Sequence, residues 1–107
     1  MSEIDFDKRL EELYENFRRQ LPERLKTILE AWQGWQTRHE TADLEELRFH
    51  VHKLAGAAST YGFTEIGERA REVETRLDDY LRQGTDTGLE ADLKPRIEHI
   101  ESLIRAV

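Results

Sequence analysis

Apolar residues recur every three or four positions along almost the whole of this 107-residue sequence, and no stretch alternates apolar with polar in the manner of a strand. A period near 3.6 places them along one face of an α-helix, so the chain reads as helix throughout. Phe6, Leu10, Leu13, Phe17 and Leu21 form the first stripe, with Tyr14 beside it, and Leu25, Ile28, Leu29 and Trp32 extend it beyond Pro22. A proline inside a helix removes a hydrogen bond and bends the axis, whereas at a first helical position it is tolerated. One bent helix and two abutting helices both satisfy this stretch. Gly34 and the polar run from Thr37 to Thr41 predict an end and a connection.

Asp43 is then expected to cap a second long helix, with Glu45 and Glu46 in its first turn to suit the helix dipole. That helix carries Leu44, Leu47, Val51, Leu54 and Ala58 inward. Tyr61, Gly62 and Phe63 predict a turn, and Thr64 is expected to cap or open the next helix. There Phe63, Ile66, Ala70, Val73, Leu77 and Leu81 share one face. "QGTDTG", from Gln83 to Gly88, reads as a loop. A last helix bears Leu89, Leu93, Ile97, Ile100 and Ile104, bent or restarted at Pro95. The expected fold class is all-α: an up-and-down four-helix bundle with an additional N-terminal helical segment, forming a single domain over residues 1–107.

Composition narrows the function classes. Hydrophobic residues at 37% fill one modest core, and charged residues at 36% cover the outer faces. Without cysteine there is neither a disulfide framework nor a thiolate metal site. The apolar runs are far shorter than the roughly 20 residues that span a bilayer, and no secretory leader is read at the start. No membrane association and a cytoplasmic location are therefore expected. A formal net charge of −7 argues against a broad nucleic-acid-binding face. A monomer is expected.

Chemistry concentrates in "HVHKLAGAASTYGF", from His50 to Phe63. At 100° per residue, Leu47, Val51, Leu54 and Ala58 define the inward arc, His50 falls on its edge, and His52 points away toward solvent. Residues at i and i+2 diverge, so the two histidines cannot share a metal or act together. Ala55, Gly56 and Ser59 are small and are expected to clear space around the His52 imidazole. Glycine inside a helix costs about 1 kcal/mol against alanine, a loss that close approach of another body to His52 would explain. Arg48 shares the face of His52 and brings positive charge, while Phe49 points outward as an exposed aromatic. Each feature also has a plainer explanation: surface histidines are common, glycine permits close helix packing, and the N-terminal helix could cover Phe49. His50 reads as a hydrogen-bonded boundary residue, and no partner is evident for His39 or His99.

Taken in order, "HKLAGAASTYGF" followed by Ile66, Ala70, Val73 and Glu74 resembles the histidine-containing phosphotransfer (HPt) domain of bacterial two-component phosphorelays. His52, Leu54 and Gly56 match that family's His-x-Leu-Lys-Gly motif, Gly62 matches its later glycine, and "FRRQLPERLKTILEAW" is similar to its preceding helix. The resemblance implies that His52 accepts a phosphoryl group from a receiver-domain aspartyl phosphate and passes it to another receiver. It implies a phosphocarrier without a kinase ATP site, with no cofactor of its own and a divalent ion on the partner receiver only. Response-regulator receivers are the implied partners, and a hybrid histidine kinase is a further candidate. The family's lysine, which helps hold the phosphoryl group, is replaced here by Ala55. Lys53 and Arg48 are candidate substitutes, of which Arg48 is the better aimed. A non-catalytic helical module that binds and blocks a receiver or kinase is the alternative reading, and the missing lysine favours it.

Overall fold

The computed structural model describes residues 2–107, which form four α-helices: α1 Glu3–Arg38, α2 Thr41–Thr60, α3 Thr64–Gln83 and α4 Leu89–Arg105. Consecutive helices pack side by side and α4 returns to α1, closing an up-and-down ring. At 1.5 Å per residue the 36 residues of α1 span about 54 Å. That matches the long dimension of the molecule, 54 × 23 × 20 Å. α2 and α3, at 20 residues each, reach only about 30 Å, so α1 projects well past the bundle.

Pro22 and Pro95 both lie inside unbroken helices. Apolar anchors flank each proline, Leu21 and Leu25 around the first, Leu93 and Ile97 around the second, and all four are buried. The additional N-terminal segment is thus the first part of α1, continuous with the rest. Ser2 starts it by accepting the Asp5 N–H on its hydroxyl at 3.2 Å, with Glu3 and Asp5 at the positive end of the dipole.

The connection between α1 and α2 differs from the expectation. α1 runs through Gly34 to Arg38, and α2 starts at Thr41 behind Glu40, two residues before Asp43. Asp43 does not cap, because its carboxylate accepts from the Arg38 guanidinium across the connection. Gly34 serves that ion pair: a Cβ there would stand 2.6 Å from Arg38 Nη2 and 3.0 Å from Asp43 Oδ1. His39 ends α1 in the left-handed region (φ 56°), sets its ring at a tilt against Trp35 with centroids 4.6 Å apart, and lies 3.7 Å from Asp86. Thr64 opens α3, for which Phe63 is the preceding residue and provides no side-chain cap.

The core is apolar throughout, with no buried polar or charged residue among those described. Leu47, Val51 and Leu54 of α2 meet Ala70, Val73 and Leu77 of α3, and Leu21, Ile28, Leu93, Ile97 and Ile100 complete the interior. At one end Phe17 stacks on Tyr61 and Tyr14 on Phe63, fixing α1 against the turn between α2 and α3. Gly62 makes that turn at φ +86°, a conformation side chains resist. Beyond it α1 projects from the bundle, so Phe6, Leu10 and Leu13 of the first apolar stripe are exposed rather than buried, with Leu10 and Leu13 lining an open cleft beside Thr60, Tyr61 and Gly62. Only Phe17 and Leu21 of that stripe reach the core.

Candidate functional site

His52 stands midway along α2 with its side chain 63% exposed, while the His50 side chain is 18% exposed. That contrast follows from helical geometry, since Leu47, Val51 and Leu54 take the inward arc and leave His52 outside it. His50 Nε2 lies 2.8 Å from Glu46 Oε1, and its ring meets the edge of Phe49. With Lys53, His50 lines the cleft between α1 and α2, on the other side of the helix from the α3 seam.

On that α3 side, His52 Nδ1 lies 2.6 Å from Glu74 Oε2. A carboxylate accepts and does not donate, so Nδ1 carries a proton, and in the neutral ring Nε2 keeps its lone pair. The Glu74 side chain is only 13% exposed, which strengthens this contact against competition from water. Arg48 completes the row: its guanidinium donates to Asp78 and places Nη2 3.6 Å from Glu74. The Asp78 hydrogen bond, followed by its charge, raises the Arg48 pKa above its ordinary value and keeps the group cationic. Asp78, Arg48, Glu74 and His52 thus form a continuous row of polar contacts across the α2–α3 seam, with the Arg48 cation between two carboxylates and the imidazole at its end.

The small residues after His52 divide into two sets. A Cβ on Gly56 would meet nothing within 4 Å, so this glycine faces open space. Ala55, expected beside that opening, is instead 2% exposed and packs in the α2–α3 seam. Gly67 of α3 meets it there: a Cβ on Gly67 would lie 3.3 Å from the Ala55 carbonyl oxygen and 2.6 Å from Ser59 Oγ. Ser59, itself exposed, therefore sits where the two helices approach closely. Phe49 is 53% exposed, uncovered by α1, and Lys53 Nζ lies 5.0 Å above its ring.

Arg48 and Lys53 are accordingly engaged elsewhere, Arg48 with Asp78 and Lys53 with Phe49, and neither is held toward His52 Nε2. Gly67, Glu74 and Asp78 escaped the sequence reading as site residues. Glu74 appears in the sequence only as part of the family resemblance, and the further signal is a shared face of α3, since positions 67, 74 and 78 fall within a narrow arc at 100° per residue. Among the described residues no cluster of histidine, aspartate and glutamate could hold a metal ion, and no helix is long and apolar enough to cross a membrane.

Neither a curated protein nor a solved structure matches the chain. A family model does: the Hpt domain model aligns with residues 12–107, which takes in all of α2, α3 and α4 and most of α1. That family carries out phosphotransfer in two-component systems, and its members interact with response-regulator receivers. With this match over nearly the whole four-helix bundle, the chain belongs to the Hpt domain family.

Proposed function

We propose that the protein is a phosphorelay intermediate in which His52 accepts a phosphoryl group from a receiver aspartyl phosphate and hands it to a second receiver. The observation that carries this reading is the exposed imidazole with Nδ1 tied to Glu74 and Nε2 free. The Nε2 lone pair attacks phosphorus in line, the P–N bond forms, and the P–O bond to the receiver aspartate breaks. The leaving electron pair returns to that aspartate as carboxylate. Nε2 and Nδ1 are then both substituted, so the ring becomes cationic, and the Glu74 carboxylate stabilises that charge as it develops. Glu74 also fixes the ring's direction, which matters because phosphoryl transfer depends mainly on positioning and charge.

Gly56 supports the same reading from the steric side. The open space at its Cβ position lies one turn beyond His52, where a receiver loop would have to approach. The divalent ion and acidic pocket belong to the receiver, and the relay protein contributes the nucleophile, its orientation and its access. Incubation with a receiver phosphorylated on aspartate, followed by separation of the two proteins, tests the proposal. Label on the parent and none on His52→Gln supports the relay. Tight binding without label assigns the blocking role instead. The linkage formed is a phosphoramidate, so the label should be lost in acid and survive in base.

A further inference from the structure

A phosphoryl group on His52 carries close to two negative charges and three acceptor oxygens, so its stability and its transfer depend on a nearby cation. Three cationic side chains flank His52 on α2 and α3. Arg48 is held by Asp78 and Glu74, and Lys53 lies over Phe49 on the α1 side. Arg71 is the third. It is exposed, and among the described residues it makes no ion pair.

The register of the α2–α3 pair places it. His52 meets Glu74, and Ser59 meets the bare Cα of Gly67, so the helices run antiparallel with these two contacts fixing the alignment. Arg71 lies between them on α3, one turn from each, and shares their face: 67, 71, 74 and 78 span an arc of about 60° at 100° per residue. Its level is that of Ala55 and Gly56 on α2. Ala55 offers no polar atom in its side chain, and Gly56 leaves open space. Arg71 therefore overlooks the opening one turn along from the His52 imidazole.

We propose that Arg71 is the phosphoryl-binding residue of this protein, its guanidinium donating hydrogen bonds to the phosphoryl oxygens on His52 Nε2. This rests on the relay reading of His52. Gly56 is then the gap through which Arg71 reaches across from α3, as well as the receiver's approach. Arg48 keeps Glu74 and Asp78 occupied, which leaves Arg71 free for the incoming anion. A planar guanidinium presents paired donors suited to two phosphoryl oxygens at once.

Arg71→Gln tests the assignment, with Arg82→Gln as a charge-matched control near the far end of α3, where Arg82 pairs only with Asp79. Uptake from a phosphorylated receiver should fall about tenfold in Arg71→Gln, the loss of one charged hydrogen bond. The second readout needs no receiver: the phosphoprotein is purified and its phosphoryl group titrated by phosphorus NMR. Removing a neighbouring cation should raise the phosphoryl pKa by about half a unit. Arg71→Lys, which keeps the charge but not the paired donors, should restore the phosphoryl pKa and only part of the uptake, and Arg82→Gln should show neither effect. Slower uptake with an unchanged phosphoryl pKa would place Arg71 against the receiver and overturn the assignment, as would an equal shift in Arg82→Gln. Failure of the parent protein to take up label at all is a separate result, which defeats the relay reading itself.

Discussion

Two glycines of the α2–α3 pair should respond to alanine in opposite directions. Gly56→Ala adds a methyl group where nothing lies within 4 Å. Alanine is the better helix former by about 1 kcal/mol, and no contact opposes the gain. Gly67→Ala receives the same propensity benefit but drives its Cβ to 2.6 Å from Ser59 Oγ. The hydroxyl can rotate away. The Ala55 carbonyl oxygen and the Ser59 backbone nitrogen, both at 3.3 Å, cannot move without parting the helices. Overpacking of this kind costs about 1–3 kcal/mol. Set against the propensity gain, Gly67→Ala should lose about 1 kcal/mol while Gly56→Ala gains about 1 kcal/mol.

For a domain of this size, 1 kcal/mol displaces Tm by roughly 4–8 °C. Thermal unfolding followed by far-ultraviolet circular dichroism should therefore separate the two variants by about 10 °C. Urea unfolding with unchanged m values would confirm that the folded states differ in stability alone. Adding Ser59→Ala to Gly67→Ala should recover only part of the loss, because the backbone contacts remain. If Gly67→Ala proved as stabilising as Gly56→Ala, the close approach of α2 and α3 at Ala55 would be refuted.

Gly56→Gln should fold with its helix intact, since glutamine is the better helix former, yet transfer should slow sharply as the approach to His52 is blocked; unchanged transfer in the folded variant would remove the access role. His52→Gln should abolish uptake with an unaltered helical signal, whereas His50→Gln should retain uptake with some loss of stability from its half-buried site; label on folded His52→Gln would defeat the relay assignment. Glu74→Gln still offers an acceptor to Nδ1 but no negative charge, so uptake measured by quench-flow should fall by roughly tenfold, about 1.4 kcal/mol. Phe6→Ser and Leu10→Ser, on the exposed part of α1, should shift Tm by no more than a few degrees.

Helical periodicity carries direction around an axis, and what depended on that direction was legible in the sequence. Leu47, Val51 and Leu54 are fully buried, and His52 points outward beside a glycine with open space. Periodicity carries no information about what lies across from a face. Phe6, Leu10 and Leu13 repeat as regularly as Phe17 and Leu21, but α1 outruns its neighbours and their stripe stays exposed, with Leu10 and Leu13 reaching only an open cleft beside Tyr61 and Gly62. Local start signals failed for a related reason. Asp43 has the chemistry of a cap, and a guanidinium from the end of α1 claims its carboxylate.

The site shows the same division more sharply. His52 and Gly56 lie on one helix, so their relation follows from spacing alone. Glu74 and Gly67 lie on the next, and their meeting with His52 and Ser59 depends on how α2 and α3 are aligned by the turn at Gly62. Shifting that alignment by one turn, about 5.4 Å, would carry Glu74 away from Nδ1 and set Arg71 or Asp78 against the imidazole. With Asp78 there the ring would still be held, but with Arg71 the guanidinium would donate, Nδ1 would have to accept, and the proton would move to Nε2. The close approach that Gly67 permits pins the register against such a slip, because any larger residue at that level meets the α2 backbone. A residue remote from the imidazole thus helps determine which of its two nitrogens is left without a partner.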